Sequence, residues 1–442
     1  MAERQWGWGG EKLRRKEVVW TLVAMTKTCE KGRQHKNKRS VKSINTEELL
    51  PPVLIVIHVM EMKELPVTAG AGEGRTQAVD GMTRGCGKLT GFHAGYFRIS
   101  LSLCGQALLW KTLSEPGGGA SARSAALRHL SRSVPGAVYL LLWSVALAVL
   151  VGLCALYALR CGLRRRHVAA EFSHPVGVNY LFAPWISWLL LLQAAPAAAA
   201  PLFRPLWWVF AAPILLLDVK IYGQWFTDGK RFLSLMANPT SQMTVVGNLV
   251  GAMTASRTGW AEAATCMFSL GMVHYLVLFV TLYQRFVGSS SLPPMLRPVF
   301  FLFIAAPSMA SLAWDSIAGK FDVGSKMLFY LSLFLLASLA SRPALFKKAM
   351  RRFNVAWWAY SFPLTMLALA ATEYAQAVKG GISDALMLFL SALSVIVVVV
   401  LIVFTVVRTG DLLPNGGDDP FAPPPPLLRF RSPDSSPREV SC

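Results

Sequence analysis

Four ionisable side chains fall inside long apolar runs of this chain: Asp218, Lys220, His274 and Glu373. Charge at membrane depth is expensive, so each is a candidate for an ion path or a proton relay. Their neighbourhoods favour quieter roles. Asp218 and Lys220 sit near one end of their run, where structural use or mutual neutralisation is expected. His274 reads as a hydrogen-bonded packing residue, and Glu373 lies near a helix end that water can reach. None belongs to a nucleophile–base set, a carboxylate pair or a metal-ligand spacing. The seven cysteines contain no C-x-x-C pair, and no disulfide framework is read from them. No catalytic residue, metal or cofactor is therefore expected, and the chain does not read as an enzyme.

A second set of candidates lies in the backbone. In "NVAWWAYSFPLTMLALAATEYA" (354–375), Pro363 directly follows Phe362. Proline deletes a helical donor and clashes with the preceding turn, at a cost of about 3 kcal/mol in a helix interior. The layout recurs. "HPVGVNYLFAPW" (174–185) and "RPVFFLFIAAPS" (297–308) each hold a polar residue, a proline and a second proline nine residues on, namely Pro184 and Pro307. "NPTSQMTVVGNLVGA" (238–252) places Gly247 where the inner proline would fall. Backbone left unpaired at membrane depth is tolerated only inside protein or against a water-filled cavity. Breaks at Pro184, Gly247, Pro307 and Pro363 are thus expected to kink helices gathered around one cavity, with Gly247, Gly251, Ala305, Ala306 and Ser308 allowing close approach.

The elements that would carry these residues are membrane helices. Of 442 residues, 54% are hydrophobic and 15% charged, and the mean hydropathy is +0.44. A soluble chain carries about 25% charged residues. The net charge of +20 fits cytosolic loops better than nucleic-acid binding. Ten apolar segments are predicted, at 92–113, 137–160, 176–195, 203–222, 240–256, 260–285, 298–317, 325–345, 353–377 and 383–408. The first and fifth are the least hydrophobic and are expected to be shielded from lipid. Even-numbered segments carry longer Leu/Val/Ala runs and suit an outer ring. Loops after segments 2, 4, 6 and 8, with the helix ends beside them, hold fourteen Lys and Arg against five for those after segments 3, 5, 7 and 9, which places the former loops and both termini in the cytosol. The loop after segment 1 argues weakly the other way. Residues 1–88 read as a disordered basic extension, 89–410 as the helical domain, and 411–442 as a Pro-rich disordered cytosolic tail. The chain's start lacks a signal-peptide pattern. Ser40, Ser43, Ser432 and Ser436 match weak kinase patterns.

Several strings resemble a known family. "NPTSQMTVVGNLVGA", "GMVHYLVLFVTLYQR" (271–285), "FIAAPSMASLAWDSI" (303–317), "VAWWAYSFPLT" (355–365) and "KIYGQWFTDGKR" (220–231) look like the plant slow-type (S-type) anion channels. "FHAGYFRISLSLCGQALLW" (92–110) and "GVNYLFAPWISWLLLLQ" (177–193) look closest to its short-tailed members. The resemblance runs from about Thr90 to Arg408. It implies an all-α membrane protein, related to the bacterial TehA proteins, with ten transmembrane helices as five hairpins in quasi-fivefold arrangement around a central pore. It further implies a homotrimer, and a phenylalanine plug in the ninth helix that falls on Phe362. The implied function is passive conduction of chloride and nitrate across the plasma membrane, with the lipid bilayer, protein kinases and other channel subunits as partners. Segments 3, 5, 7 and 9 show almost no cations between their ends. Lys230, Arg231 and Arg297 are candidate cytosolic vestibule charges, able to concentrate anions, against a plain topological role. Where some relatives carry a basic pair before the third helix, this chain has Ala169 and Ala170. Two rival functions share the scaffold: a proton-coupled anion or dicarboxylate transporter, and an accessory subunit silent on its own.

Overall fold

Each of the ten predicted segments contains a helix. The computed structural model describes residues 92–114, 136–196, 200–227, 237–288, 294–347, 350 and 353–412. Its ten longest helices are α1 (Phe97–Ser114), α2 (Gly136–Leu163), α3 (Phe182–Gln193), α4 (Ala200–Thr227), α5 (Gln242–Arg257), α6 (Ala261–Gly288), α7 (Leu302–Ala318), α8 (Val323–Ala340), α9 (Ser361–Val378) and α10 (Gly381–Val407). By length and composition seven are able to cross a membrane, and the bent pair Arg165–Ser173 and Gly177–Gln193 makes eight if its two helices are one span. The two that fall short are α1 and α5, the segments read as least hydrophobic. The extension 1–88 and nearly all of the tail 411–442 lie outside the described residues, as do Lys230 and Arg231.

Odd-numbered helices begin alike. A short 3-10 helix leads into four of them, at Ala94–Tyr96, Pro239–Ser241, Pro294–Phe301 and Val355–Tyr360, and a one-turn helix Gly177–Tyr180 precedes α3. The first backbone N–H groups of a helix have no partner within it, so a side-chain acceptor there is stabilising. The polar residue of the sequence repeat fills that role at three of its four copies, His174, Asn238 and Asn354, while Arg297 lies within its 3-10 helix. Asn238 and Asn354 accept from the amides of Thr240 and Ala356. His93 Nδ1 accepts from Gly95 N at 3.0 Å, and His174 Nδ1 from Val176 N at 3.2 Å.

The breaks lie elsewhere than at mid-span. Pro184 and Pro363 are each the third residue of α3 and α9, where a missing N–H costs little. The sharp bend of segment 3 comes earlier, 102° between Ser173 and Gly177. Gly247 and Pro307 fall inside α5 and α7, which continue as α-helix through them. The irregular backbone is thus a junction before each odd helix, and its N–H groups are satisfied by caps and 3-10 bonds.

Packing separates two classes of helix. Contacts run from α1 to α3, α5, α7, α9 and back to α1, while α2, α4, α6, α8 and α10 each pack on the odd helix before them. In α5 every residue from Gln242 to Ala255 is buried. Small residues permit this. A Cβ on Gly247 would stand 3.1 Å from Phe182 and 3.3 Å from Ile214, and one on Gly251 would run into Met267. Even helices instead expose large apolar side chains such as Leu141, Val273, Phe334 and Val403, as lipid-facing surfaces do.

Candidate pore constriction

The odd segments meet at a small cavity of about 10 Å³, room for about one water molecule. Arg98 and Leu101 come from the start of α1, Tyr180 from the turn before α3, Met243 from α5, Val299 and Leu302 from segment 7, and Trp358, Ala359 and Phe362 from segment 9. All five odd segments therefore reach one point. Phe362 is only 1% exposed. Its ring is directed there because the 3-10 turn Val355–Tyr360 hands over to α9 at Ser361, which puts Phe362 on the inward face of the first α-helical turn. Across from it, Gly105 lets α1 approach. A Cβ at position 105 would lie 3.1 Å from Met366 and 3.7 Å from the Phe362 ring.

The one charge at this cavity is Arg98. It is buried, its Nε–H donates to Gly95 O at 2.8 Å, and its guanidinium carbon sits 4.6 Å from the centre of the Tyr180 ring. Its Nη1 is buried with no hydrogen-bond partner among the described residues. Arg98 lies in segment 1, outside segments 3, 5, 7 and 9, whose spans show almost no cations. A lone arginine at the start of an apolar span was the available signal.

Polar side chains lock the odd helices around the cavity. Ser100 and Ser187 hydroxyls lie 3.2 Å apart between α1 and α3. Gln106 Nε2 donates to Thr365 Oγ1 at 2.9 Å and to Ser394 Oγ at 2.7 Å, joining α1, α9 and α10. Gln193 donates to Thr254 between α3 and α5. Near the start of segment 1, buried Glu171 takes Arg160 Nη1 at 2.5 Å on one oxygen. Its other oxygen accepts the Ala94 amide at 2.6 Å. Gly177 makes room for this turn, since a Cβ there would stand 2.6 Å from the Glu171 carbonyl oxygen.

The other candidates disperse. Of the two roles expected for Asp218 and Lys220, structural use rather than mutual neutralisation is found: Asn248 Nδ2 donates to Asp218 Oδ2 at 2.8 Å, whereas Lys220 Nζ donates to Phe172 O at 2.5 Å. The two point from α4 in different directions, so each meets its own neighbour. His274 stacks on Tyr222 with ring centres 3.5 Å apart, and its Nδ1 lies 2.7 Å from Leu270 O. Glu373 Oε2 accepts from Gln376 at 3.4 Å. Arg297 lies in the 3-10 helix Pro294–Phe301, half-buried. No cluster of three His, Cys, Asp or Glu side chains able to hold a metal occurs among the described residues.

Comparison with known proteins agrees with this architecture. Residues 91–406 match the family model described as voltage-dependent anion channel. The chain is 56% identical over 327 residues to the S-type anion channel SLAH1 of Arabidopsis thaliana, covering 74% of this chain and 83% of that one. It is 55% identical over 327 residues to S-type anion channel SLAH4 of the same plant, covering 74% and 86%. A tellurite resistance protein TehA homolog of Haemophilus influenzae is 25% identical over 325 residues, covering 71% of this chain and 90% of that one. A match across the whole helical region, from the capped start of segment 1 to the end of α10, places this chain in the voltage-dependent anion channel family.

Proposed function

We propose that the protein is a passive anion channel of the plasma membrane that conducts chloride and nitrate, with the Phe362 ring as its gate. The observation that carries this is the meeting of all five odd segments at the Phe362 ring. A narrow apolar constriction closes a pore by steric block and dewetting. The cargo class follows from relatives named S-type anion channels. The reading includes ten crossings in quasi-fivefold order around this axis, supported by the closed run of contacts through α1, α3, α5, α7 and α9. It also includes a homotrimer, cytosolic termini, activation by kinases or partner subunits, and vestibule charge from Lys230, Arg231 and Arg297.

The test is Phe362→Ala in cells with little anion current of their own. Current should rise severalfold, with a reversal potential that follows the chloride gradient and ignores pH. Unchanged current from protein that reaches the surface would refute the gate.

One observation favours the proton-coupled transporter as a second reading. Asp218 is buried between α4 and α5, with Oδ1 unpartnered among the described residues. A reversal potential that moves with pH in wild type and not in Asp218→Asn would select it.

A further inference from the structure

We propose that Arg98 is an anion-binding residue of this pathway, its guanidinium holding one small inorganic anion, chloride or nitrate, beside the Phe362 ring. This rests on the channel reading above and adds the place where the ion pauses.

Three features point to a ligand. The side chain is more than nine-tenths buried and borders the cavity that Phe362 also lines. Its Nη1 has no hydrogen-bond partner among the described residues, although an arginine has five donors to satisfy. And no described carboxylate neutralises it: the buried acid of this region, Glu171, is held by Arg160 and the Ala94 amide. A buried cation without a counter-charge is strongly unfavourable. A passing anion supplies that charge.

The side chain is also held still. Nε is tied to Gly95 O and the guanidinium lies over Tyr180, so the group is held just behind the apolar wall of the cavity. Gly95 leaves the space for this pose, since a Cβ there would come within 3.0 Å of Arg98 Nη2. One fixed charge backed by an aromatic face is a modest site, and conduction needs a site the ion can leave. Guanidinium is weakly hydrated, which suits exchange of water for an ion.

The experiment uses the full chain. In a Phe362→Ala background, Arg98→Gln should raise the chloride concentration giving half-maximal current about tenfold, the size expected for losing one charge-assisted contact. Arg98→Lys, which keeps the charge, should recover most of the loss. A half-saturating concentration unchanged in both variants would overturn the proposal. Phe362→Ala protein crystallised with bromide in place of chloride gives a structural readout, because in wild type the ring leaves room for about one water molecule only. Anomalous density against Arg98 Nη1 supports the site, and bromide absent there overturns it. Bromide at Arg98 in a protein whose Phe362→Ala variant carries no current would sink the channel reading and leave the anion site standing. Current from Phe362→Ala with neither bromide at Arg98 nor a shifted half-saturation would do the reverse.

Discussion

Helices α8 and α9 are neighbours of equal length with opposite fates. In the apolar window of the Val355–Val378 span 83% of residues are buried, against 17% in Val323–Ala340. The outer helix is the more apolar one, yet it keeps Met327, Tyr330 and Phe334 on its surface. The inner helix carries Ser361, Thr365 and Thr372 and buries all three. In water the apolar helix would be inside. Lipid reverses this, because hydrocarbon solvates leucine as well as a protein core does, while polar groups and close helix contacts gain by turning inward.

That contrast breaks most sharply at glycine. A Cβ on Gly251 of inner α5 would displace the tip of Met267, and a larger side chain must also displace the packed helices, whereas Gly152 on outer α2 has nothing within 4 Å of a built Cβ. Gly251→Leu should abolish folded protein in detergent, judged by size-exclusion chromatography, and Gly152→Leu should leave the elution profile and Tm unchanged. Equal effects at both would end the inner–outer distinction.

The next largest effect concerns what holds an inner segment's start. Glu171 ties Ala94 and Arg160 together, and both ionic side chains are fully buried. Removing one partner of a buried pair costs about 3–5 kcal/mol. Glu171→Ala should lower the thermal midpoint accordingly, and a loss below about 1 kcal/mol would show the pair to be solvated, as surface pairs are.

The smallest effect belongs to an exposed turn leading into the outer helix α8. Asp322 accepts from Ser325 N at 3.1 Å and from Trp314 Nε1 at 2.9 Å. The Ser325 amide first, then the Trp314 indole, holds its carboxyl below the ordinary aspartate range. A depressed carboxyl stabilises the fold above its unfolded pKa, and that contribution fades as pH falls through the folded value. Wild type should therefore lose a little thermal stability in acid that Asp322→Asn, which keeps a capping side chain, does not. Parallel pH profiles would remove the cap's electrostatic share.

How much of this was legible in sequence depended on whether the signal was local. The recurring polar residue was visible as a repeat, and the structure makes it a cap at His174, Asn238 and Asn354, since capping acts within three residues. Outer helices declared themselves by unbroken apolar runs. Pro184 and Pro363 could not be placed within their helices from sequence, because the 3-10 and one-turn lead-ins that put them in the first α-helical turn leave little trace in composition. For Asp218 and Lys220, close in sequence, a structural role and mutual neutralisation were both open. Their real partners, Asn248 and Phe172, lie 30 and 48 residues away.

By itself, then, the sequence determined that this chain lives in a membrane, where its helices run, and which of them tolerate lipid, since hydropathy, capping and steric freedom are properties of short stretches. Only tertiary structure decided that Phe362 and Arg98, 264 positions apart (362 − 98), face the same small cavity. Which side chains share a space follows from how five separate segments close on one another, and no local pattern encodes that closure.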